Sequence, residues 1–112
     1  MDRKEIEDLL FEAASAQAVS RSFKLGEGAA QMIREHAGDA ADRILARGAD
    51  EAQRRGGIEQ GKQAFRTVVE TMIAARPAVY RDRPGHLRDN LIGEDTFSWA
   101  KDKLCPGFWP FC

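Results

Sequence analysis

Over residues 2–76 the apolar side chains recur at intervals of three and four positions, and this spacing restricts the possible folds more than any other feature of the chain. In the first segment Ile6, Leu9 and Ala13 follow it, with further apolar residues beside them. Such spacing places side chains on one face of an α-helix. No stretch alternates apolar and polar residues as a half-buried strand would, so the sequence predicts an all-α fold.

Two helices are expected in the first half of the chain. The first runs from Asp2 to about Arg21, and Asp2 with Glu5 three residues later forms a capping pair. The second starts near Glu27, and its buried face consists mainly of alanines and single aliphatic residues. A face built from small side chains suits close approach to a neighbouring helix.

The third helix is expected to carry the main apolar face. The glycine pair 56–57 should end the second helix, so that the third begins at Ile58, and Pro77 should end the third. The residues that define this face are Ile58, Phe65, Val68, Val69, Met72 and Ile73.

The chain of 112 residues has room for one hydrophobic core. The pattern divides it into a helical domain at 1–76, an irregular connector at 77–93, a short helix at 94–104 and a Cys/aromatic tail at 105–112. The sequence thus predicts a small three- to four-helix bundle with an extended C-terminal tail.

The charges and the hydropathy exclude several classes of protein. Lys and Arg number 17 against 18 Asp and Glu, which leaves a net charge of -1, whereas nucleic-acid-binding proteins usually carry a basic excess. No apolar run is long enough to span a bilayer, and the acidic, amphipathic N-terminus lacks the features of a signal peptide. We therefore expect a cytoplasmic protein with no nucleic-acid partner and no transmembrane segment.

The residues that could support catalysis or metal binding are few and scattered. His36 lies in the second helix and His86 in the connector, and neither stands at a ligand spacing from Cys105 or Cys112. The six residues between the cysteines also differ from the close pairs of zinc and redox motifs. We expect no catalytic residue, no metal site and no cofactor, with both histidines in solvent, and the protein is not predicted to be an enzyme.

The C-terminal sequence CPGFWPFC is the most distinctive part of the chain. It contains Cys105, Phe108, Trp109, Phe111 and Cys112, and a soluble monomer rarely leaves such an apolar group exposed. Three explanations are open: the segment folds back onto the core, inserts into a partner or a membrane interface, or is a substrate of modifying enzymes. A ring closed by the two cysteines is sterically reasonable, although thiols in a reducing cytosol normally stay reduced.

A long N-terminal region followed by a short segment rich in Cys, Trp, Gly and Pro resembles precursors of ribosomally synthesised and post-translationally modified peptides. In those precursors a leader recruits enzymes that alter a C-terminal core. The resemblance covers the last eight to fourteen residues and the layout, without a matching leader motif. It implies that Cys112 is a substrate of a cysteine decarboxylase or an iron oxygenase. Because CPGFWPFC has no Ser or Thr, Cys105 would be the donor for a thioether ring.

Two functional hypotheses follow from the tail. In the first, the protein is a precursor whose Cys105, Trp109 and Cys112 are altered by modifying enzymes. In the second, it is a helical accessory protein whose tail docks into a larger complex, with Phe108 and Phe111 among the contacting residues.

Overall fold

Four α-helices account for most of the chain in the computed structural model, which describes residues 1–112. The helices are α1 (Arg3–Ser20), α2 (Glu27–Arg47), α3 (Glu51–Val79) and α4 (Glu94–Leu104). The predicted all-α helical bundle is confirmed, and α4 has the bounds that the sequence predicted. None of the four helices combines the length and the apolar content that a bilayer crossing requires.

The start of α1 confirms the predicted capping pair. The carboxylate of Asp2 accepts a hydrogen bond from the backbone N–H of Glu5 at 2.9 Å. This contact satisfies one of the N–H groups that a helix leaves unpaired in its first turn. The sequence therefore fixed this end of the helix through a local interaction.

The predicted break at the glycine pair 56–57 is wrong. α2 already ends at Arg47, and α3 begins after Asp50, whose carboxylate accepts from the backbone N–H of Gln53 at 2.8 Å. Gly57 instead lies inside α3, where a Cβ atom would come within 3.3 Å of the Ile44 side chain. A small residue at this crossing lets the two helices approach closely, and this packing outweighs the low helix propensity of glycine.

Pro77 does not end α3, which continues to Val79. Proline removes the backbone hydrogen bond to the residue four positions earlier, here Ile73. The helical hydrogen-bond pattern resumes after the proline. At the C-cap, the backbone N–H of Tyr80 donates to the carbonyl oxygen of Arg76 at 2.9 Å. A proline this close to the helix end therefore shortens the last turn very little.

Two strands of two residues each join the start of α2 to the start of α4. β1 (Lys24–Leu25) and β2 (Leu91–Ile92) pair in parallel, and each is followed by a glycine N-cap and a helix. The sequence does not predict this pairing, because two residues are too few to show alternation. The pairing ties the otherwise irregular connector, which also contains the 3-10 helix Pro84–Leu87, to the bundle.

The core lies between the four helices and is rich in alanine. α1 packs against α2 and α3, and α4 packs mainly against α3. Phe65 of α3 and Phe97 of α4 are the largest fully buried side chains. Two members of the core come from outside the helices: Ile92 of β2 is fully buried, and Phe111 of the C-terminal segment is 4% exposed and belongs to the same apolar cluster.

Polar contacts on the surface also join α1 to α2. The guanidinium of Arg34 donates to the Asp8 carboxylate at 3.0 Å, and Lys4 lies 3.2 Å from the same carboxylate. The hydrogen bond from Arg34, followed by that from Lys4, lowers the pKa of Asp8 below its ordinary value.

Candidate functional site: the C-terminal disulfide loop

A disulfide joins Cys105 to Cys112 and closes residues 105–112 into a ring, which we call the C-terminal loop. The loop starts where α4 ends, with the backbone N–H of Cys105 donating to the carbonyl oxygen of Lys101 at 2.9 Å. The segment that the sequence predicted to be extended therefore turns back on itself. Cross-linking of its ends and burial of Phe111 are the physical reasons for this difference.

Local backbone contacts shape the loop. The N–H groups of Phe111 and Cys112 both donate to the carbonyl oxygen of Phe108, at 2.8 and 3.1 Å. Gly107 has a φ of 86°, a left-handed conformation that glycine adopts readily, and nothing lies within 4 Å of the position its Cβ would take. The peptide bonds before both prolines of the loop are cis. The chain bends at residues 106–107 and turns at residues 109–111.

Phe111 lies in a slot between three helices. Its ring centroid is 4.8 Å from that of Phe65 in α3, 5.4 Å from that of His36 in α2 and 6.1 Å from that of Phe97 in α4. We call these three side chains the aromatic slot. Ring separations of this size are typical of favourable aromatic pairs, which contribute about 0.5–1.5 kcal/mol beyond burial. The slot thus fixes the loop on the bundle.

The prediction that His36 lies in solvent is wrong. Its ring packs in the aromatic slot. It is half-buried, and its Nδ1 atom is 2.9 Å from the carbonyl oxygen of Met32. Because a carbonyl oxygen only accepts, Nδ1 must carry the hydrogen and donate it. The ring also meets Phe97 edge-on at 5.1 Å. His86, in contrast, is exposed and stacks on Tyr80 outside this site.

A second contact from α2 holds the loop backbone. The guanidinium of Arg43 donates to the carbonyl oxygen of Pro110 at 3.2 Å, and Pro110 itself is buried. Apart from the bond between Cys105 and Lys101 at the end of α4, this is the one hydrogen bond between the loop and the bundle. The loop is therefore attached mainly by apolar packing.

The loop carries two further aromatic residues. Phe108 and Trp109 are half-buried, and the indole of Trp109 comes within 3.8 Å of the position that a Cβ would take at Gly61. Trp109 also lines a cleft of about 380 Å³ together with Arg47 and Gln60. Its indole N–H is buried without a hydrogen-bond acceptor. Both rings pack in part against the core and keep only part of their surface accessible.

The structure brings all five predicted site residues together, but in different environments. Phe111 is buried, Phe108, Trp109 and Cys105 are half-buried, and Cys112 is exposed. The sequence did not predict the partners of the loop on α2, α3 and α4. Those on α2 and α3 lie far away along the chain, and no local pattern connects a histidine or an arginine in α2 with a C-terminal phenylalanine.

The chemistry available at the loop is that of a disulfide and of aromatic contact surfaces. Both cysteines are oxidised, so neither provides a thiolate nucleophile. No group of three or more His, Cys, Asp and Glu side chains is placed to hold a metal ion. The arrangement can support thiol–disulfide exchange and protein binding.

Comparison with protein-family models, with curated proteins and with solved structures finds no match for this chain. The proposals below therefore rest on the geometry of the loop and of the slot.

Proposed function

We propose that this protein is a small helical interaction protein that presents the C-terminal loop to a protein partner. The observation that carries the proposal is that different residues of the loop are buried and accessible. Phe111 and Pro110 are buried and hold it on the bundle, while Phe108 and Trp109 keep part of their surface exposed. Aromatic rings in this position are the residues most often found to dominate binding at interfaces.

The attachment of the loop to the bundle favours this function for an energetic reason. A loop closed by a disulfide and anchored by a buried ring has little conformational freedom left. It therefore loses less entropy on binding than a free tail of the same sequence. An interaction surface gains affinity from such preorganisation.

Photo-cross-linking in cells of the native host tests this proposal. A benzoylphenylalanine replaces Phe108 in one variant and Ala74, which is exposed on the polar face of α3, in the control. We expect a discrete protein adduct with the probe at position 108 and a much weaker one with the probe at position 74. Equal labelling at both positions, or none, would contradict a specific contact at the loop.

A second candidate function is the peptide precursor. It is favoured by the exposure of Cys112 and by the enclosure of Trp109 between two cysteines. In this proposal the helices serve as a folded leader, and modifying enzymes act on Cys105, Trp109 and Cys112 after Phe111 has left the slot.

Intact mass of the protein from its native host separates the two candidates. The disulfide alone lowers the mass by two hydrogens, and reduction restores the mass of the unmodified sequence. A deviation that survives reduction and maps to residues 105–112, such as loss of carbon dioxide and two hydrogens from Cys112, would support the precursor. A fully restored mass together with the adduct at position 108 would support the interaction protein.

A further inference from the structure

The loop is held on the bundle by two constraints of different kinds. One is covalent, the disulfide between Cys105 and Cys112, and the other is the seating of Phe111 in the aromatic slot. A single hydrogen bond, from Arg43 to Pro110, joins the loop to the bundle. Pro110 is buried, and the half-buried rings of Phe108 and Trp109 pack against the same core. Loss of the disulfide leaves the docked loop dependent on these non-covalent contacts alone.

The covalent constraint has a large effect on docking. In the chain-entropy description, closing a ring of this size favours the ordered loop over the open one by about 50- to 100-fold. An open tail must order the residues from Pro106 to Cys112 before Phe111 can be buried, and each ordered residue opposes docking. The terms left to offset that cost are the burial of Phe111 and Pro110, the partial burial of Phe108 and Trp109 against the core, and one hydrogen bond.

We propose that the disulfide is a redox switch that controls occupancy of the aromatic slot. In the oxidised protein Phe111 fills the slot. In the reduced protein the tail is released, and the slot becomes an open site for an aromatic side chain. The inference does not depend on the proposed function, because it concerns the resident occupant of the slot and not the partner of the loop.

The switching step is a thiol–disulfide exchange with a dithiol. A thiolate of the dithiol attacks Sγ of Cys112, the more exposed of the two cysteines, and Cys105 leaves as a thiolate that takes up a proton. The second thiol of the reductant then attacks the mixed disulfide and releases Cys112, which is also protonated. The cysteine pair gains two electrons and two protons, and the dithiol becomes a disulfide.

Release of the tail changes the surface of the bundle. Phe65 and Phe97 are fully buried in the oxidised protein, and Phe111 is among the side chains that cover them. After release, these rings and that of His36 line a gap between α2, α3 and α4. An apolar gap of this kind favours the return of an aromatic ring, which makes the switch reversible when the disulfide forms again.

Quenching of Trp109 fluorescence by acrylamide reports the state of the loop. The measurement uses Trp99→Phe, in which Trp109 is the only tryptophan; Trp99 is 38% exposed on α4, so this change is mild. Dithiothreitol is the dithiol, and intact mass after alkylation confirms two thiols per chain. We expect reduction to raise the quenching constant to the value measured for a free CPGFWPFC peptide.

Two further variants, each made in the Trp99→Phe protein, give the control values. Cys105→Ser/Cys112→Ser should show the quenching constant of the reduced protein and no response to dithiothreitol. Phe111→Ala with its disulfide intact should give a higher quenching constant than the oxidised parent, which shows that the ring in the slot holds the loop.

Two outcomes would overturn the proposal. If the fully reduced protein keeps the quenching constant of the oxidised protein, the slot holds the tail without the covalent ring. If reduction instead abolishes the far-ultraviolet circular dichroism signal of the helices, the disulfide supports the whole bundle and does not control the tail alone. Retained helicity with increased quenching supports the switch.

Discussion

Replacing Phe111 with alanine tests whether the loop docks as a separate unit. The side chain is 4% exposed, and burial of a phenylalanine contributes about 1.5–3 kcal/mol. Contacts with the rings of Phe65 and His36 add about 0.5–1.5 kcal/mol for each favourable pair. Phe65 is fixed within α3, so its removal would also leave a cavity in the core. Phe65→Ala should therefore cost about 3–5 kcal/mol.

The position of Phe111 in a loop limits the stability that Phe111→Ala can remove. When its ring is removed, the loop can leave the slot, so the loss cannot exceed the free energy with which the loop docks. We therefore expect Phe111→Ala to destabilise the protein by about 2–3 kcal/mol, less than Phe65→Ala. For a domain of this size, that corresponds to a fall in the thermal midpoint of about 8 to 15 °C.

Urea denaturation followed by far-ultraviolet circular dichroism measures these costs. Phe108→Ala is the matched control, since Phe108 is in the same loop but half-buried, and it should cost less than about 1 kcal/mol. The double variant of Phe65 and Phe111 should cost less than the sum of the single variants, because the two rings are 4.8 Å apart. Equal costs for Phe111→Ala and Phe65→Ala, or loss of the cooperative transition in Phe111→Ala, would show that Phe111 is an inseparable part of the core.

Three further outcomes follow from packing and charge. Gly56→Ala should stabilise the protein by about 0.5–1 kcal/mol, because nothing lies within 4 Å of the new Cβ and alanine favours the helix. Gly61→Ala should destabilise it in the same urea assay by about 1–2 kcal/mol, since its Cβ would lie 2.8 Å from Leu10; equal stabilisation by both changes would refute this packing. The carboxyl of Asp8 should titrate by NMR below its ordinary pKa of 3.8, and Arg34→Gln should raise that pKa. Because the folded-state pKa is lowered, the stability that this pair contributes is present above the ordinary pKa and is lost as the pH falls through the lowered value; an unchanged pKa in Arg34→Gln would contradict this assignment.

Local interactions made part of the fold predictable from the sequence. Apolar residues at helical spacing predicted the all-α bundle, the cap at Asp2 predicted the start of α1, and the pattern of residues 94–104 predicted α4. Each of these signals can be read from neighbouring residues, although the burial that stabilises the apolar faces comes from the packing of the helices against one another. The cysteines and aromatic residues at 105–112 are also neighbours in the sequence, so the sequence alone identified this segment as distinctive.

A contact between distant residues decided the bounds of α2 and α3, whereas Pro77 is tolerated because it lies near the end of α3. The glycine pair 56–57 and Pro77 both disfavour a helix locally, yet α3 passes through both positions. Gly57 is retained in the helix because its small size lets α3 pack against Ile44. Helix propensities are worth about 1 kcal/mol for glycine, and tertiary packing can outweigh a preference of that size.

The state of the C-terminal loop was likewise determined by tertiary structure. The sequence left open whether the segment folds back, binds a partner or is modified, because its own residues are compatible with all three. The aromatic slot combines His36, Phe65 and Phe97 from three helices, and their separation along the chain hides it from any local pattern. Only the packing of those helices creates a gap that fits Phe111, and burial of that ring, together with the disulfide, places the loop against the bundle.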